Sequence, residues 1–491
     1  MVDADRLLAR VEWEPLRTEQ KWDLLEPSLH LPPGSETITV RRDDSYHLDV
    51  TLTGRCTSSD AGALQAKLDG NHVPGEFARG PDLALKTMGG SVTIEGYLPC
   101  GYSFEFPDRD RIAFTVPVHT NRVRWKPDGG GAPAWLTEWF LNGPQDSPWR
   151  RTSERSFEMR QSRRWGTAAK QPTDFIGAKS SVTTVDHFLV RAAGIDAVVH
   201  AVPKGLAPEW ANSIGVSYFG AVPAENVRNG LEELLGFVFG RRLMKVATVA
   251  FDAAGFAVEE VIVGPWGADA KGPCRRPDWP LLPLSLAQGG SSNVEDVVMN
   301  LLPQYLDLRE ELRLDDVLWR LWLGHEAATT IDIPIFASGL EILAGAWFKA
   351  GKSRSKGKYL PKEEFDGLLG DELKTASVKL KSVQFGDRML RKLQGAFETS
   401  GNERLRWFFD EMELPVGSVE EDALRARNQA VHPTRAHTAE ECLQFVRLAN
   451  VYRMLMVRVI LKALAWNGPY MDYGALGHPI RALTEPSGGT M

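Results

Sequence analysis

An arginine, an amide and an imidazole fall within the six positions Arg427-Asn428-Gln429-Ala430-Val431-His432, directly ahead of Pro433. A guanidinium is always charged and matches phosphate oxygens in shape, while an imidazole gains or loses a proton near neutral pH. Both need a rigid element to hold them. Ser418, followed three residues later by Glu421, has the pattern of a helix-starting capping box. The helix is expected to end near His432, because a residue before proline is pushed out of the α region. At about 100° per residue, Val419, Ala423, Leu424, Ala426, Ala430 and Val431 form one apolar arc, and Arg427 falls inside it. Arg425 and Gln429 take the opposite side. A guanidinium on the apolar side needs a partner, an anion or a wet cleft. Asn428 and His432, four apart, share a face. Arg427 and His432 lie about 140° apart on an ideal helix, so they converge only if the helix ends early or two chains share a cleft. The blander alternative is a snorkelling arginine beside a helix-capping histidine.

The 491-residue chain carries a formal net charge of -7, which excludes a generic polyanion binder and confines any nucleic-acid contact to a local basic patch. Length predicts two to four domains. Cys56, Cys100, Cys274 and Cys442 are widely spaced without a C-x-x-C pair, as expected of a reducing compartment rather than a disulfide scaffold or zinc ribbon. Residues 1–15 contain no secretory apolar core. The longest apolar stretch, 446–466, is interrupted by Arg447, Arg453, Arg458 and Lys462, which argues against a membrane span. The expected location is the cytoplasm, with no membrane partner.

The periodicity predicts an α+β, multidomain chain. Residues 1–263 form a β-rich N-terminal domain, with period-two runs at 38–52, 112–118, 182–190 and 244–263, and one helix at 225–239. Residues 150–164 are basic and weakly periodic, either an edge strand or a mobile loop. A Pro/Gly-rich linker or wrapping loop is expected over 264–293, and an all-α domain over 294–480, with its first helix kinked or broken at Pro303. Residues 481–491 are expected to be a flexible tail. A long final helix is expected from Thr438, where Glu441 completes a second capping box.

In that setting Arg427-Asn428-x-x-x-His432 resembles the R-x-x-x-x-H signature of HEPN ribonucleases. The order, a β-rich domain followed by a helical one, is similar to the ApeA-like branch of that family. Two stretches, Trp139-Phe140-Leu141-Asn142-Gly143 and Gly236-Phe237-Val238-Phe239-Gly240-Arg241-Arg242, resemble its N-terminal domain. The resemblance covers most of the chain. It implies metal-independent RNA cleavage by attack of the ribose 2′-hydroxyl, with tRNA a candidate substrate, no cofactor and no metal. His432 would be the general acid/base, Arg427 the stabiliser of phosphate charge, and Asn428 the residue orienting them. It further implies antiviral defence by abortive infection, a phage-derived trigger, a restraining N-terminal domain and a homo-oligomer built on a dimeric helical unit.

Glu341 is a supporting candidate, able to pair with Arg427 in the site, or else a structural salt bridge or an exposed helix face. Lys352, Arg354, Lys356 and Lys358 form a basic loop, a weak candidate RNA grip or a solvated linker. Trp135, Trp139 and Phe140 are expected in the core rather than stacked on bases. Two other functions stay open. One is a non-catalytic HEPN-like module binding RNA or nucleotide; the other is a protein-interaction scaffold.

Overall fold

A computed structural model describes residues 13–25, 31–62, 82–101, 103–106, 112–145, 148–163, 173–265, 270–276, 279–284, 293–327, 331–351, 357–431 and 438–487, with backbone only at 17, 155–163, 173–181 and 428–431. The chain divides into two compact units. The first holds residues 1–224 and 243–278; the second holds 225–242, 279–285 and 289–491.

The first unit is antiparallel β-structure. In chain order its strands are β1 (Gln20–Asp23), β2 (Ser35–Arg42), β3 (Leu48–Cys56), β4 (Leu83–Thr87), β5 (Gly90–Glu95), β6 (Leu98–Pro99), β7 (Ser103–Glu105) and β8 (Ile112–His119). They continue with β9 (Arg122–Pro127), β10 (Trp135–Phe140), β11 (Arg151–Arg163), β12 (Thr173–Ala192), β13 (Ile195–Ala201), β14 (Ile214–Phe219), β15 (Lys245–Phe251) and β16 (Ala257–Val263). One sheet runs β1-β2-β3-β8-β6, with β7 also on β8; the other runs β11-β12-β13-β14-β10-β15-β16-β9-β5-β4. Alternation creates the core between them. Ile38, Val40, Val50, Leu52, Phe114 and Val116 from one sheet meet Leu85, Val92, Ile94, Val123 and Ile262 from the other. Asp43 makes the β2–β3 turn by accepting from the backbone N–H groups of Ser45 (2.9 Å) and His47 (2.8 Å). The basic segment after Arg150 is an edge strand, β11, settling the alternative left open by its weak periodicity.

Trp139 and Phe140 are fully buried, and Trp135 stacks on Phe251 with centroids 3.9 Å apart, so this cluster is core. Beneath it His200 Nδ1 donates to the Ala201 carbonyl (3.3 Å), and Nε2 takes a hydrogen bond from Ser217 Oγ (3.1 Å). Burial holds the imidazole below its ordinary pKa, hence neutral. Unfolding releases it to a normal value, so below about pH 6.5 the unfolded chain binds a proton that the folded one refuses. Stability should therefore fall with pH there, by up to about 1.4 kcal/mol per pH unit. Urea unfolding of the first unit from pH 7.5 to 5.5 measures this slope, and His200→Gln should flatten it; an equal slope in both proteins refutes the assignment.

The second unit is helical: α1 (Glu225–Phe239), α2 (Lys271–Arg275, a short turn belonging to the first unit), α3 (Val294–Leu308), α4 (Leu314–Glu326), α5 (Asp332–Lys349), α6 (Lys362–Leu380), α7 (Gly386–Gln394), α8 (Gly401–Glu411), α9 (Ser418–Val431) and α10 (Ala439–Ala463). A small hairpin, β17 (Pro469–Met471) and β18 (Ile480–Ala482), closes it. Helix α10 is buried on nearly every face from Leu448 to Ala463 and packs on α5 and α9.

Two expectations need correction, and two alternatives open in the sequence are narrowed. The helix α1, drawn from composition into the N-terminal domain, groups with the helical unit. Glu233 takes two hydrogen bonds from Arg309 (both 2.7 Å), and Gly230 lets Leu306 approach where a Cβ would lie 2.4 Å from its Cδ2. Helix α3 continues through Pro303 without a break, because its buried apolar face outweighs the lost N–H. Of the two readings of 264–293, its residues 279–284 fit a wrapping loop rather than a free linker: Leu281 and Leu282 are fully buried, and the Leu281 carbonyl accepts from Met471 N–H (3.0 Å). The 481–491 tail is held as far as Ser487, which is 1% exposed and donates its N–H to Glu420 (3.0 Å).

Candidate functional site

Helix α9 supplies Arg427. Its start is set differently from the expected Ser418–Glu421 box. Glu420 reaches back to the Gly417 backbone N–H (3.0 Å), and Glu421 instead pairs with Arg425 (3.1 Å) on the outer face. Glu420 is fully buried because Arg458 of α10 meets it, 2.5 Å away. Arg458 also donates to the carbonyls of Leu483 (3.1 Å) and Pro415 (2.9 Å). The base of α9, the middle of α10 and the C-terminal segment are thus tied in one buried polar knot.

From there Ala423, Leu424 and Ala426 bury the predicted apolar arc, and α9 packs on α5 and α10. Arg427 lies on that arc. Its need for a partner is met by Glu341 of α5, with Nη1 against Oε1. The Arg427 side chain is 27% exposed and that of Glu341 39%, so solvent, and any ligand, reaches the pair from one side. The first residue of α8 adjoins it. A Cβ built on Gly401 would stand 3.5 Å from Arg427 Nη1 and 3.6 Å from Glu341 Oε1. Helix α8 carries a complete capping box between Ser400 and Glu403, which fixes this end beside the guanidinium.

Tyr452 of α10 completes the group and was not evident in the sequence. It is fully buried, and its hydroxyl has no hydrogen-bond partner among the described residues. Burial raises its pKa well above the usual phenol value, with the charges of Arg427 and Glu341 acting in opposite directions. Its position among Leu448, Val451 and Leu455 reads as ordinary core, so spacing alone carried no signal. An unpartnered buried hydroxyl contributes little to stability. Tyr452→Phe is therefore expected to change unfolding free energy by less than about 1 kcal/mol, and to lower any activity of this site. A melt shifted by many degrees, or unaltered activity, contradicts that expectation.

Asn428 follows Arg427 on α9, where the backbone alone is described. His432 lies outside the described residues, as do Lys352, Arg354 and Lys356. Lys358, the fourth member of the basic loop, is pinned rather than free. Its Nζ sits 5.2 Å from the Phe397 ring, and a backbone bridge joins it to Glu398. Among the described residues no three His, Cys, Asp or Glu side chains converge as a metal site would require. Nor is any described helix long and apolar enough to cross a membrane.

What the arrangement offers chemically is an oriented guanidinium, open on one face, with a carboxylate behind it and a phenol hydroxyl nearby. No family model, curated protein or solved structure matches the chain.

Proposed function

We propose that the chain is a HEPN-type endoribonuclease of the ApeA-like kind. Its helical unit would cut host RNA, with tRNA the foremost candidate, and arrest the cell during phage infection under restraint from the β-rich unit. The observation that carries this reading is Arg427. It stands on the buried arc of its helix, yet it is held and oriented by Glu341 with one face open to solvent.

In the proposed reaction His432 takes the proton of a ribose 2′-hydroxyl. The O2′–P bond forms, the P–O5′ bond breaks, and the departing O5′ receives a proton. A 2′,3′-cyclic phosphate and a 5′-hydroxyl end remain. Negative charge gathers on the non-bridging oxygens, where Arg427 supplies a fixed cation. Glu341 keeps the guanidinium from swinging into solvent, and Asn428 orients the imidazole or a phosphate. Two copies would share a cleft, so that the residues of one site need not come from one helix.

The same ion pair favours a second reading. With its charge already partnered, Arg427 would serve a non-catalytic module that binds RNA. Incubating the purified full chain with total tRNA in chelator-containing buffer separates the two. New fragments ending in a 2′,3′-cyclic phosphate support cleavage; RNA that is retained but intact supports binding alone. Restraint by the β-rich unit is better tested by point substitutions than by truncation near residue 290. That cut would remove α1, which belongs to the helical unit.

A further inference from the structure

The β-rich unit contains a cleft of about 820 Å³, lined by Trp149 ahead of β11, Thr184 and Asp186 of β12, the loop 201–211 and the start of β14. That volume is the scale of a small-molecule site. Its lining is more apolar than polar, and Val202, Pro208 and Ile214 belong to it. Trp149 stacks on Phe188 with centroids 6.0 Å apart, which gives the cleft a rigid aromatic wall.

One carboxylate is built into this setting. Thr184 Oγ1 (2.8 Å) and Ser153 Oγ donate to Oδ2 of Asp186, and His187 Nδ1 (3.0 Å) donates to Oδ1. Burial pushes its pKa up, but these donors outweigh that and hold it below the usual carboxylate range. Three contacts fix its direction while leaving acceptor capacity, since a carboxylate has about four lone-pair sites. Among the described lining residues the remaining charges are Glu209 and Lys204, so these together with Asp186 are more negative than positive.

We propose that this cleft binds an organic cation, an amine, amidine or guanidinium on an apolar stem, with the cationic head on Asp186 and the stem along Trp149 and the apolar lining. A fixed anion in a partly apolar concavity discriminates against neutral isosteres, which cannot form the charge-assisted bond. An aromatic wall adds attraction for the same charge. The inference does not rest on the ribonuclease reading, because it concerns only the β-rich unit. Under that reading, the cleft would be where the restraint senses a ligand.

The test is calorimetric binding of benzamidine, agmatine and the neutral isostere benzamide to the full chain. Both cations are expected to bind, and benzamide at least about tenfold more weakly, the ratio expected for one hydrogen bond to a charged group. Asp186→Asn should lose the cations by a similar factor, with an unchanged melting temperature of the ligand-free protein as the folding control. Lys204→Gln, at an exposed position, should bind them as well or better. A short arginine-containing peptide, compared with free agmatine, distinguishes a peptide side chain from a free small molecule as the source of the cation. Equal binding of benzamide, equal binding by folded Asp186→Asn, or weaker binding by Lys204→Gln would overturn the proposal. If Asp186→Asn does not fold, the benzamide comparison and Lys204→Gln still decide.

Discussion

Replacing Arg427 with alanine is expected to lower RNA cleavage by about 10²–10³-fold, the loss typical when one preorganised donor to a transition-state oxyanion is removed. The fold should survive. The Arg427–Glu341 pair is partly open to water, and pairs of that kind contribute about 1 kcal/mol or less. Arg427→Lys separates charge from shape, because lysine keeps the cation and loses the bidentate fork. It is expected to recover only part of the activity. Glu341→Gln keeps the length of the side chain and removes its charge, so it should cost less than Arg427→Ala if Glu341 acts only by orienting the guanidinium. His432→Ala should match Arg427→Ala in severity. Rates of cyclic-phosphate formation under single-turnover conditions, at equal folded protein, give the comparison. Wild-type rates for Arg427→Ala would remove the catalytic reading, while normal RNA retention by His432→Ala would leave the binding role intact.

Breaking the buried pair between Glu420 and Arg458 is expected to destabilise the helical unit by about 3–5 kcal/mol, because a single substitution leaves the other charge buried and alone. Both side chains are fully buried. Glu420 also accepts from Gly417 and Ser487, and Arg458 also donates to Leu483 and Pro415. Either Glu420→Ala or Arg458→Ala should therefore loosen the start of α9 and the C-terminal segment together. Arg427 lies two helical turns further along α9, so a frayed base should also cost activity without touching the site. Combining Glu420→Ala with Arg458→Ala removes both charges and should cost less than the sum of the single changes. Urea midpoints for the four proteins of this cycle supply the coupling energy. A loss below about 1 kcal/mol for the single variants would mean that water reaches the pair.

Much of the fold was legible because it depends on local chemistry. Period-two alternation located β2, β3, β8, β15 and β16. Helix α1 matched its predicted span of 225–239, and the second capping box located the start of α10, where Thr438 accepts from Glu441 N–H and Glu441 caps Thr438 in return. Strands β17 and β18, three residues each, are too short for their periodicity to show, and β13 was not read from its pattern. A kink or a break at Pro303 was open from the sequence, because proline propensity is local, and the burial that rules out the break is not.

For the candidate site, the sequence by itself determined that a cation had to sit on the apolar side of α9, and hence that it needed a partner. It offered Glu341 as a partner within the site, or else as a structural salt bridge or an exposed helix face. The tertiary structure supplied the pairing itself, by packing α5 against α9 so that the two side chains meet, an ion pair that a site and a structural salt bridge have in common. It also brought Tyr452 and the start of α8 to the same place, across sequence separations that no periodicity encodes. The same holds for the knot at Glu420. A glutamate one position before the expected capping residue looks unremarkable until α10 and the chain end close over it. Helix and strand patterns record which face a residue takes, whereas the identity of its neighbour is decided by long-range packing, which leaves no trace in spacing.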